Sequence, residues 1–124
     1  MKNLFLLSLL FIATFSKAQS TKTLQELKEI YAAQVMWEDP GELKFSEEEK
    51  AIFVKSYRIP FSVDTQLKYD KKKGNTVIFS LQNSTAITDI NDPDFKLAYF
   101  EMPFKSKDAV VSFITNFNKL VADK

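Results

Sequence analysis

Residues 95–120 read FKLAYFEMPFKSKDAVVSFITNFNKL, and the period of their apolar positions changes once along the way. As far as Phe104, apolar residues alternate, so Ala98, Phe100, Met102 and Phe104 share one face of a strand. Beyond Ser106 they fall at Val110, Phe113, Ile114, Phe117, Leu120 and Val121. Spacings of three and four place these on one stripe of a helix. Ser106 is a good N-cap, and Asp108 in the first turn and Lys119 near the end match the helix dipole. A stripe of this kind must be covered by an apolar surface, so a strand feeding into it predicts a C-terminal helix laid on a sheet.

Earlier residues extend the same reading. Thr76–Leu81 (TVIFSL) is a strand, followed by a turn at Gln82-Asn83-Ser84 and a weaker strand over Thr85–Ile90. Asn91-Asp92-Pro93-Asp94 predicts a second turn before a last strand over Phe95–Phe104. Val63, Thr65, Leu67 and Tyr69 alternate with polar residues, which predicts a half-buried strand. The loop Asp70–Asn75 joins it to TVIFSL and holds Gly74, one of two glycines, where a hairpin needs a left-handed residue. Ala51–Ile59 (AIFVKSYRI) reads as one strand ended by Pro60, and Leu43–Phe45 as a short one. Thr23-Leu24-Gln25-Glu26 matches a capping box, and Leu24, Leu27, Ile30, Tyr31 and Val35 follow at helical spacing. That predicts a helix over 24–36, stopped by Asp39-Pro40-Gly41. The expected class is therefore α+β: an N-terminal helix, an antiparallel meander of five or six strands, and a C-terminal helix packed on the sheet. The residues leave open whether the strands form an open barrel or a single sheet carrying both helices.

The ending Tyr99-Phe100-Glu101-Met102-Pro103-Phe104-Lys105-Ser106-Lys107-Asp108-Ala109, continued to Leu120, resembles that of pleckstrin-homology-like domains. Those domains close with a strand, a short turn and an amphipathic helix capping an open barrel. The hairpins from Arg58-Ile59-Pro60-Phe61 through Leu67-Lys68-Tyr69-Asp70 to Val77-Ile78-Phe79 are similar to the preceding meander. The resemblance implies the barrel rather than the single sheet. Many members bind lipid head groups or peptides, but a shared fold does not carry function with it.

Residues 1–18 read as a secretory signal peptide. Lys2 is followed by an apolar run from Leu4 to Phe15, and Ser16-Lys17-Ala18 puts small residues before a cleavage site. The run is too short for the roughly 20 residues of a spanning helix. Its Lys-Ala-Gln ending resembles signal peptides of Bacteroidetes bacteria. The expected location is the periplasm of a Gram-negative cell or its exterior. Residues 19–124 form one domain, without stable membrane insertion once the signal is removed. This part carries 15 basic and 16 acidic residues. Such a balance gives nucleic acid nothing to grip.

Composition narrows the chemistry. The chain has no His and no Cys. It therefore lacks the commonest general base, any thiol nucleophile and any Cys-built metal site. Two glycines are too few for a phosphate-binding loop. No cofactor and no metal ligand set is expected. Glu47-Glu48-Glu49, near Glu38, Asp39 and Glu42, lacks the spacing of a calcium loop and reads as a solvated turn. Lys71-Lys72-Lys73 reads as a solvated hairpin tip. Asp64, Asp89 and Glu101 are the carboxylates on presumed strands that acid–base hydrolysis would have to use.

The remaining signal is aromatic. Trp37, Tyr57, Arg58 and Phe61, with Tyr31 nearby, are residue types that interfaces favour, and the first four are the expected binding surface. These readings together predict a small exported module that is not an enzyme and binds an unknown protein. A carrier holding a small apolar ligand between sheet and helix is the alternative, and a carboxylate-dependent hydrolase is a more distant one.

Overall fold

A computed structural model describes residues 21–83 and 85–122, so the segment read as a signal peptide lies outside the described residues. The fold is α+β. Residues 21–34, the first described, are helical and belong to α1. Eight strands follow: β1 (Lys44–Ser46), β2 (Ala51–Val54), β3 (Tyr57–Pro60), β4 (Thr65–Asp70), β5 (Thr76–Leu81), β6 (Ile87–Asp89), β7 (Asp92–Leu97) and β8 (Tyr99–Pro103). Helix α2 (Lys107–Ala122) ends the description. The strands make two open antiparallel sheets, a larger one in the order β1-β2-β3-β6-β7 and a smaller one in the order β4-β5-β8. The chain leaves the large sheet after β3, returns at β6 and leaves again after β7, so neither a single meander nor a single sheet is formed.

Several boundaries differ from the sequence reading. Thr21 and Lys22 are already helical, so Thr23 lies inside α1 and its capping box is not the helix start. Ala51–Ile59 is a hairpin, not one strand, because Lys55 adopts a left-handed φ of 55° and reverses the chain. Asp92-Pro93-Asp94 belongs to β7, and the turn lies just before it at Ile90 and Asn91. Phe95–Phe104 divides at Ala98 between two sheets, where the Ala98 carbonyl accepts from Leu81 N–H at 2.9 Å. The Asp70–Asn75 hairpin is as expected: β4 and β5 pair in register over six residues, and Gly74 has φ 87°.

The core lies where α1, α2 and the inner faces of both sheets meet. Leu27, Tyr31 and Val35 enter from α1, and Ile52, Val54, Ile59 and Ile87 from the large sheet. Val77, Phe79, Met102 and Phe104 come from the small sheet and its end, and Val110, Phe113, Phe117 and Leu120 from α2. Phe45, Phe61, Phe117, Phe79, Phe113 and Phe104 form a continuous run of ring contacts, with centroids 5.0–6.2 Å apart. The space between helix and small sheet is thus occupied by side chains. Each fully buried Phe contributes about 2–3 kcal/mol of apolar burial. Helix α2 begins as expected, with Ala109 N–H donating to Ser106 Oγ at 3.2 Å.

Candidate functional site

Four half-buried aromatic rings lie in a row where the two sheets come together. Trp37 stands edge-on to Phe100 at 5.9 Å, Phe100 meets Tyr57 at 5.3 Å, and Tyr57 meets Phe95 at 5.6 Å. Fully buried rings anchor the row: Tyr31 beneath Trp37 at 6.2 Å and Phe79 beneath Phe100 at 6.1 Å. Lys55 places its Nζ 4.9 Å from the Trp37 ring centre, a cation–π contact worth about 0.5–1 kcal/mol at an exposed position.

Local structure explains the placement. Trp37 follows α1, and the chain there is tied to the end of β8. Met36 N–H donates to the Pro103 carbonyl and Lys105 N–H to the Gln34 carbonyl, both at 2.8 Å. Asp39 and Gly41 then take left-handed conformations and turn the chain away, as Asp39-Pro40-Gly41 led one to expect. Tyr57 opens β3 opposite Val54, and Phe100 lies opposite Phe79 on β8. Phe95 comes from a part of β7 that slips its register against β6. Beside the row, Met36, Trp37, Glu38, Pro40 and Lys105 border an open groove of about 460 Å³.

Tyr31 supports this arrangement from below. Its hydroxyl donates to the Pro40 carbonyl at 2.7 Å, and burial pushes its pKa up to about 12. It is a root of the site rather than part of its surface.

Of the expected surface residues, the structure brings Trp37 and Tyr57 together through Phe100. It does not add the other two. Phe61 is a core residue, 4% exposed, with its ring against Phe45 and Phe117. Arg58 follows Tyr57 directly, so its side chain leaves the opposite face of the strand. There its guanidinium donates to the Glu49 carbonyl at 3.0 Å and lies 3.6 Å from the Glu49 carboxylate, tethering the β1–β2 turn. Lys55, Phe95 and Phe100 do not stand out in the sequence as site residues. Phe100 was legible as a member of an apolar strand face, whereas Lys55 and Phe95 carry no local signal.

The three carboxylates expected on strands are engaged separately, and Asp64 lies in the turn before β4 rather than on it. Asp64 accepts from Asn83 Nδ2 at 2.6 Å, and Asp89 from the Asn91 N–H at 2.9 Å. Glu101 is an exposed partner of Lys73 and of the Tyr99 hydroxyl. Hydrogen bonds from Lys73 and then Tyr99 hold the Glu101 pKa below its ordinary value, and raise those of Lys73 and Tyr99 in return. Among the described residues no group of His, Cys, Asp or Glu is placed to hold a metal ion, and no helix is long and apolar enough to cross a membrane. Compared with family models, with curated proteins and with solved structures, the chain matches none of them.

Proposed function

We propose that this chain is a small exported binding module, not an enzyme, and that a protein partner contacts it at Trp37, Lys55, Tyr57, Phe95 and Phe100. The observation that carries the reading is the row of four half-buried rings, anchored on Tyr31 and Phe79 and bordered by a lysine. Aromatic side chains held rigidly by a core offer contact area at little entropic cost, which is why they dominate interface energetics. The ring-filled interior favours this reading over a carrier of an apolar ligand between sheet and helix. The separate engagement of Asp64, Asp89 and Glu101 favours it over a carboxylate-dependent hydrolase. The charged, apolar and small-residue order of residues 1–18 supports a periplasmic or secreted location.

Trp37 is the only tryptophan, so its fluorescence reports directly on the site. The test compares wild type with Trp37→Ala and Tyr57→Ala, purified after export from a Gram-negative host. The expected outcome is a stoichiometric protein partner that shifts the Trp37 emission of wild type and is lost from both variants, whose melting transitions stay cooperative. A partner retained by both variants, or stoichiometric lipid in place of protein, would overturn the reading.

A further inference from the structure

Of the four sheet edges among the described residues, three are shortened, covered or interrupted. The outer side of β8 is partly covered, since Pro103 and Lys105 bond to Met36 and Gln34. Strand β7 carries Pro93, a register shift and the charges Asp92, Asp94 and Lys96. Strand β1 has three residues. These are the devices by which proteins prevent unwanted strand pairing. Strand β4 is blunted only by the charges Lys68 and Asp70: it is six residues long, in register with β5 throughout, and free of proline.

The hydrogen-bond phase shows what β4 offers. Gln82 N–H donates to the Asp64 carbonyl at 3.0 Å, so the facing residues 64 and 82 form a hydrogen-bonded pair. Alternation then turns Gln66, Lys68 and Asp70 toward β5, and the N–H and C=O groups of Leu67 and Tyr69 outward. Among the described residues these outward groups meet no partner. Beside them runs an open groove of about 390 Å³ between β4 and the end of α2, with Val63, Leu67 and Val121 in its wall. Val63 is 78% exposed. Lys68, Lys71 and Lys72 lie along the same edge and its hairpin tip, and none makes an ion pair among the described residues; the carboxylates of that stretch, Asp64 and Asp70, already accept from Asn83 Nδ2 and from the Lys72 N–H.

We infer that the β4 edge is a second interaction surface, which accepts an extended segment of a partner protein alternating apolar and acidic residues. The segment adds to the small sheet as a fourth strand through the backbone of Leu67 and Tyr69. Its apolar side chains enter the groove against Val63, Leu67 and Val121. Its acidic side chains, on the opposite face, lie beside Lys68 and near the tip lysines, since opposite charges facing across a strand pair attract. This surface is separate from the aromatic row and does not depend on it.

The test titrates the ¹⁵N-labelled mature chain, at low salt, with a short end-capped peptide alternating glutamate and valine. A peptide with lysine in place of glutamate is the control. The expected result is shifts confined to residues 63–70 and 118–122, with the Leu67 and Tyr69 amides gaining protection from exchange. Lys68→Glu, an exposed change that leaves the melt intact, weakens the acidic peptide by about fivefold or more. Shifts at Trp37 or nowhere, equal affinity for the lysine peptide, or an unchanged affinity in Lys68→Glu would overturn the inference. So would a chain that is already dimeric with Leu67 and Tyr69 protected, which would give the edge to a second copy.

Discussion

Strand β5 buries four of its six residues, while β7, of the same length, buries none. β5 is central in the small sheet and has α2 across its inner face, so Phe79 alone meets Phe100, Phe113 and Phe117. β7 is an edge strand that bulges away from β6, and Phe95 is its one side chain in ring contact with the rest of the fold. The difference teaches where this small domain places its stability: in the ring stack under α2. The β6–β7 ribbon is left to present surface, with Ile90 and Leu97 exposed.

The sharpest way to break that comparison is to cut one ring on each side. Phe117→Ala removes a fully buried ring that touches Phe61 and Phe79, and should cost about 3–5 kcal/mol. Phe113→Ala should behave alike, from its contacts with Phe79 and Phe104. Against a typical total of roughly 5–15 kcal/mol, either variant is close to unfolding. Phe95→Ala removes a half-buried ring with one aromatic neighbour and should cost about 1 kcal/mol. Denaturant melts of the three variants check the ratio. A Phe117→Ala midpoint equal to that of wild type would mean that α2 is not the lid of the core.

Tyr31 sharpens the comparison at the base of the row. Its pKa is raised by burial to about 12, against about 10 in the unfolded chain. The folded state therefore holds the phenolic proton where the unfolded state releases it. Stability from this source is complete below pH 10 and falls as pH rises from about 10 to about 12. Tyr31→Phe should lose about 1 kcal/mol at neutral pH with the hydrogen bond to Pro40, and show a shallower alkaline decline. Parallel alkaline melts of the two proteins would exclude Tyr31 as the source of that decline.

At the β4–β5 turn the expected effect is smaller. Gly74 has φ 87°, and a Cβ there would meet nothing within 4 Å. Gly74→Ala therefore costs only backbone strain, about 1 kcal/mol. A variant as stable as wild type would show that the hairpin relaxes without loss, and that the register of the small sheet rests on packing alone.

Elements with local signals were legible before the structure. The stripe and cap of α2, the alternation of β4 and the glycine of its hairpin are each written in a few neighbouring residues. The division of Ala51–Ile59 was not, because Lys55 takes a left-handed turn that glycine or asparagine would normally announce. Nor was the crossing of Ala98 between sheets, which depends on which strand lies alongside. The site followed the same rule. Trp37 and Tyr57 were recognisable by residue type, but their meeting requires Phe100 from a distant strand. Phe61 and Arg58 do not join the row, because residue type does not report which way a side chain turns: Phe61 enters the core, and Arg58 points away from Tyr57 to Glu49.

The smallest effect is expected on the outer face of the small sheet, where Lys73, Tyr99 and Glu101 form an exposed trio. The trio sits on the same sheet as the Phe stack, yet water surrounds it, and exposed ion pairs add little to stability. Its charge chemistry is nonetheless local and readable. Hydrogen bonds from Lys73 and Tyr99 favour the ionised Glu101, so its pKa is depressed. The stabilisation is present above the unfolded carboxylate pKa and is lost as pH falls through the lower folded value. Lys73→Met removes the first of those two hydrogen bonds. The Glu101 carboxyl, followed by NMR, should then titrate at higher pH than in wild type, while the melting midpoint at neutral pH stays where it was. A midpoint that drops with the titration shift would mean that the outer face bears part of the load assigned here to the rings beneath it.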